Sequence, residues 1–193
     1  MLDFYFIGTS GKVPQLHRRL TSAMLRAEGD ITLIDAGEGT QLGISKSGWS
    51  AKSISTILIT HLHADHVLGL AGVLLQIHNS GRTDRIIIAG PKGVKRYVNS
   101  LYLVLPTLKY PIYFIELTGD SDFILANTLE IDAFKLNHSV SCYGYSFYFR
   151  HFGKFNVEKA KTVPKRSWGE LSKGLGLHNV LLHGALTDFQ FSR

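Results

Sequence analysis

Six consecutive residues, His61-Leu62-His63-Ala64-Asp65-His66, place three imidazoles and one carboxylate together. Neutral imidazole nitrogen and carboxylate oxygen are the ligands preferred by borderline-soft divalent ions, zinc above all. His61 and His63 stand two apart, so in extended chain they point the same way and can share one ion. Asp65 and His66 follow after a turn and can hold a second ion. Two ions roughly 3.5–4 Å apart form the arrangement that activates water against a phosphoryl or acyl centre. A single histidine is usually an ordinary surface or core residue. Four ligand-type side chains in six positions, entered from an apolar run and followed by glycines, are not explained that way.

Other residues carry two readings each. Asp35 ends a strand just before Gly37; it either orients a ligating histidine from behind, as such carboxylates do, or caps a turn. Gly8-Thr9-Ser10-Gly11 either cradles phosphate or serves only the path of the backbone. His138 follows an apolar strand without neighbouring ligands, and chemistry alone does not single it out. Glu38 suits a solvated or helix-starting carboxylate. His78, at a helix end, suits a dipole partner, and His17 lies in a basic loop.

The elements around these residues follow from periodicity. Residues 55–60 form a short, β-branched apolar run that predicts a buried strand leading into the histidines. Residues 2–7 predict an opening strand, and 21–26 with 31–35 a hairpin around Glu28-Gly29-Asp30. Helices are predicted over 40–47, ending near Gly48, over 69–79, and from Pro91-Lys92-Gly93 to about 105. Strands are predicted at 85–89, 113–116, 129–134 and 143–150. This order suits an α/β fold built in layers.

Composition sets the outer bounds. The chain has 193 residues, 45% of them hydrophobic, enough for one domain with a real core. Its net charge of +6 favours a polyanionic partner. One cysteine, Cys142, excludes an intrachain disulfide and suits a reducing compartment. No basic leader precedes a long apolar run, and no run approaches the ~18 residues of a membrane span. A cytoplasmic protein without membrane association is expected. Lys154, Lys159, Lys161, Lys165, Arg166 and Lys173, with Phe155 and Trp168 interleaved, are either a solvated linker or a basic, aromatic-tipped arm. Such an arm would position RNA through phosphates and stack an unpaired base.

The motifs HxHxDH, Phe6-Ile7-Gly8-Thr9 through Pro14, Asp35-Ala36-Gly37-Glu38-Gly39-Thr40-Gln41, the 60–75 segment THLHADHVLGLAGVLL, Asn137-His138-Ser139 and the stretch from Phe155 to Leu171 occur in one order. Together they resemble ribonuclease Z, the tRNA 3′-end endonuclease of the metallo-β-lactamase superfamily. HxHxDH alone marks the superfamily; GEGTQ with the arm segment is specific to the ribonuclease Z branch. The resemblance implies an α/β metallo-β-lactamase-like four-layer αββα sandwich over residues 1–150, followed by a tRNA-binding arm over 151–193. It implies a zinc site of two ions, with manganese or another divalent metal as substitutes, and a homodimer. The metal ligands would be His61, His63, Asp65, His66 and His138, with Asp65 also catalytic. Lys165, Arg166 and Trp168 would bind precursor tRNA, whose 3′ trailer the enzyme removes.

The family's later bridging aspartate and last histidine have no counterpart in this sequence. Asp188, His178 and His183 lie in segments that resemble the exit of the arm. The expectation is therefore a chain that lacks the C-terminal half of the fold and has little activity alone. Two alternatives remain: another metallo-β-lactamase-fold hydrolase, such as a phosphodiesterase, or a non-catalytic RNA-binding remnant.

Overall fold

The computed structural model describes residues 2–149. β1 (Leu2–Gly8), β2 (Ser22–Ala27) and β3 (Asp30–Ile34) form an antiparallel run. Glu28 and Gly29, at φ 50° and 94°, make the two-residue turn between β2 and β3. Two successive positive φ values match the right-handed twist of the flanking strands. β4 (Ile54–Leu58), β5 (Ile86–Pro91) and β6 (Ile112–Leu117) then pair parallel in turn, extending the sheet from β3 in the order β1-β2-β3-β4-β5-β6. Every residue of β4 and β5 is buried. Their apolar runs suit a central parallel sheet covered on both faces.

The alternation along each strand separates two cores. Met24, Leu33, Ile57 and Ile88 face helices α1 (Thr40–Ser47), α3 (Leu70–Asn79) and α4 (Val94–Leu101), which contribute Ile44, Leu74 and Val98. Leu25, Leu58, Ile87 and Ala89 face the other way. They meet Ile124, Ile131 and Tyr143 from a second sheet of β7 (Ser121–Leu125), β8 (Leu129–Leu136) and β9 (Cys142–Phe149). The described residues thus supply three layers, helices on sheet on sheet, of the four-layer αββα sandwich. The outer face of the second sheet exposes Phe123, Phe134 and Tyr148.

The structure departs from the predicted elements at α4 and at one further strand. Pro91 ends β5 instead of opening a helix, because α4 starts only after Gly93 at φ 105°. There the Glu116 carboxylate accepts the amides of Gly93 and Lys95, 2.7 and 3.3 Å away, and caps the helix from a neighbouring strand. β7 was not foreseen, since five residues with Asp122 among them give little periodicity.

Candidate metal centre

The strand β4 delivers the motif. Ile59 continues its extended path by donating its amide to Ala89 O at 2.8 Å. The chain then leaves the sheet, passes through His61 and His63, and turns into the one-turn helix α2 (Ala64–Val67) that carries Asp65 and His66. A second segment holds that turn in place. Ala36 N donates to His66 O at 2.7 Å, and Gly69 N donates to Ala36 O at 2.8 Å. The approach is so close that a Cβ on Gly69 would stand 2.1 Å from Gly37 O, and one on Gly37 would stand 2.4 Å from Asp65 O. The glycines of the two motifs are there because these backbones touch.

Asp35 resolves in favour of the orienting role. It is buried and adopts φ 56°, a left-handed conformation that Asp tolerates better than most residues. Its Oδ2 lies 2.7 Å from His66 Nδ1, and its Oδ1 accepts the Thr60 amide at 2.8 Å. The Thr60 hydroxyl donates to Asp35 Oδ2 at 2.8 Å and stands 2.9 Å from His61 Nδ1. One carboxylate, directly and through one hydroxyl, therefore holds the Nδ1 protons of both histidines. That pattern fixes the tautomers and leaves Nε2 of each imidazole as the lone-pair donor.

His61, His63 and His138 converge among the described residues, with their ligand nitrogens all within 4.8 Å of one another. His138 arrives from the loop after β8, in the second sheet. Its Nε2 is 3.4 Å from His63 Nδ1. Bonds of about 2.0–2.1 Å from a tetrahedral zinc put neighbouring nitrogens about 3.3–3.4 Å apart, so this pair already has the required spacing. Burial first, then the other imidazoles, pull His61 down to about 4, so it stays in the neutral form that binds metal. Burial acts to lower His66, but the hydrogen bond and charge of Asp35, with Asp65, outweigh it and raise that group.

Asp65 sits beside this cluster, its Oδ2 3.8 Å from His66 Nε2. Lys12, at φ 60°, donates its amide to the same oxygen at 2.8 Å. That bond, foremost, holds the Asp65 carboxyl below the usual carboxylate range. The glycine-rich turn after β1 thus serves Asp65. Thr60 and Lys12 are the site residues that the sequence reading missed; Thr60 is the first residue of the 60–75 motif, and nothing local marks Lys12. Lys165, Arg166 and Trp168 lie outside the described residues, as do His178, His183 and Asp188.

The αββ layering and the histidine cluster at a strand end define a metallo-β-lactamase-fold protein with a divalent-metal type of site. Residues 2–156 match the family described as Anti-Pycsar protein Apyc1, and the chain belongs to that family. The resemblance to ribonuclease Z also holds. The chain is 47% identical to ribonuclease Z of Lachnospira eligens over 176 residues, covering 90% of this chain and 58% of that protein. It is 44% identical to ribonuclease Z of Lachnoclostridium phytofermentans, with the same coverage of both chains. The fold matches the crystal structure of human tRNase Z, short form, with a TM-score of 0.69 and 30% identity, over 77% of this chain and 65% of that one. The chain thus spans less than two thirds of the length of these curated relatives.

Proposed function

We propose that these residues belong to a zinc-dependent endoribonuclease that removes the 3′ trailer of precursor tRNA. The observation that carries the reading is the convergence of His61, His63 and His138 beside Asp65 and His66. The similarity to ribonuclease Z supports the substrate. An alignment covering 90% of the chain necessarily runs past residue 156 into the segment of Lys165, Arg166 and Trp168.

His61, His63 and His138 would hold one zinc or manganese ion, and Asp65 with His66 a second. Bound there, the ions would supply Lewis-acid activation of water and of the phosphodiester. The chain's own groups do the rest. Asp35 and Thr60 keep the histidine nitrogens aimed. Lys12 engages Asp65 Oδ2, which leaves Oδ1 to accept a proton from the attacking water. Lys165 and Arg166 neutralise tRNA phosphates and Trp168 stacks on a base. A homodimer in the cytoplasm is part of the same reading. Among the described residues, no helix is long and apolar enough to cross a membrane.

A second reading has one observation in its favour. The family that matches residues 2–156 is described without reference to ribonuclease Z, and its match stops before Lys165. A metallo-β-lactamase-fold phosphodiesterase with another substrate fits that. Binding and cleavage of precursor tRNA by the zinc-loaded protein separates the two. Joined to the C-terminal part that its ribonuclease Z relatives have and this chain does not span, the protein should cleave only with metal, lose roughly 100-fold or more in Asp65→Asn and keep its tRNA binding. Hydrolysis of a small phosphodiester without affinity for tRNA would support the second reading, and tRNA binding without hydrolysis of any phosphodiester would leave an RNA-binding role.

A further inference from the structure

α4 and the metal loop enclose a groove of about 670 Å³ that the site above does not use. Leu62, Val67 and Leu68 form its apolar wall, and Lys92 and Arg96 its basic one. Leu62 alternates with His61 and His63, and none of the candidate metal ligands lines the groove, which therefore runs along the metal loop rather than into the metal centre. A Cβ on Gly93 would stand 3.3 Å from Leu62 Cδ1, and the Tyr97 hydroxyl donates to Val67 O at 2.8 Å. α4 is therefore fixed directly on the motif. Leu68 is 57% exposed, a large apolar side chain with no core to fill. Lys92, Lys95 and Arg96 are exposed, and none forms an ion pair among the described residues. A smaller groove of about 500 Å³, also lined by Lys92 and Arg96, continues past Lys95 and Asn99. Glu116 lines it too, but its carboxylate is engaged by the amides that open α4.

We infer that this groove binds the single-stranded trailer of the substrate, with its bases against Leu62 and Leu68 and its phosphates on Lys92 and Arg96. The inference rests on the proposed tRNA reading. An apolar wall facing unpaired cations matches a single strand, whose bases and phosphates diverge. In precursor tRNA a single unpaired discriminator nucleotide separates the cut from the paired acceptor stem, so an extended single strand long enough to follow the metal loop is the trailer.

The test is binding of zinc-loaded protein to precursor tRNA with a long trailer and a non-hydrolysable linkage at the cut, and to the same tRNA without the trailer, over a range of salt. Wild type should bind the trailer-bearing form more tightly. Lys92→Ala with Arg96→Ala should remove that gain and lower the salt slope by about 1.4, roughly 0.7 for each single-strand phosphate contact. Binding of trailer-free tRNA should not change. Lys92→Arg with Arg96→Lys keeps the charges and should keep the gain. An alanine pair that retains the trailer-dependent gain overturns the groove and leaves the tRNA reading standing, as does a wild type that binds both RNAs equally. A wild type that binds neither RNA overturns the function and the groove together.

Discussion

Thr60 shows how much one hydroxyl can organise. It lies between the Asp35 carboxylate and His61 Nδ1, 2.8 and 2.9 Å from each, while its amide occupies the other carboxylate oxygen. Thr60→Val keeps the shape and the amide bond but frees His61 to rotate or change tautomer. Partners that orient a ligand from behind are worth roughly 10–100-fold in metal affinity. Zinc affinity of Thr60→Val, measured against a competing chelator, should fall by that factor, and Thr60→Ser should restore most of it. An unchanged affinity would show that packing alone aims His61. Asp35→Asn should have the larger effect, because Asn has one acceptor oxygen where Asp35 uses two, so either the Thr60 amide or the His66 Nδ1 proton with the Thr60 hydroxyl then faces an NH2 donor.

At the scale of elements, the site depends on backbones that cross without room for side chains. α2 is a single turn and cannot hold itself in place. Ala36 and the Asp35 carboxylate hold it through His66, and β9 holds the end of the strand that leads into it. Tyr143 N donates to Thr60 O at 2.9 Å, and the Tyr145 hydroxyl donates to Ile59 O at 2.8 Å. Gly69→Ala should therefore cost about 1–3 kcal/mol, the usual range for overpacking. With the conversion of about 2–4 °C per kcal/mol for a chain of this size, the melting temperature should drop by several degrees. The same variant should bind zinc less tightly, since Asp65 and His66 ride on the displaced turn. Full stability with full metal binding in Gly69→Ala would mean that the two segments can separate freely. Tyr145→Phe should cost less, about 0.5–1.5 kcal/mol for one hydrogen bond.

For the whole molecule, the metal centre is a seam. His61 and His63 come from the end of the six-stranded sheet and His138 from the second sheet. An ion shared by all three ties the layers together and binds only the folded state. At a free concentration 100 times its dissociation constant it would add about 2.7 kcal/mol of stability. Zinc should raise the melting temperature of the wild-type chain and a chelator should reverse the rise. In His138→Ala the rise should be largely lost, because the remaining ligands all lie on one layer. A zinc-dependent rise that persists in that variant would place the ion on His61, His63 and their neighbours alone.

The sequence by itself determined the parts whose signals are local. The strand at 55–60, the helix over 69–79 and the hairpin around Gly29 are set by periodicity and turn chemistry within a few residues. HxHxDH points to a metal because four ligand-type side chains lie within one reach of chain. His138 is different: 75 residues separate it from His63, and it was chosen on resemblance, since no local pattern distinguishes it. The two roles left open for Asp35 were decided by a contact with His66, 31 residues away. Thr60 and Lys12 escaped notice for the same reason, as did the cap that Glu116 places on α4. A hydrogen bond between distant residues leaves no period in either neighbourhood. Only packing the sheets and helices brings those atoms within 3 Å, and only then does a string of ligand-type residues become an oriented site.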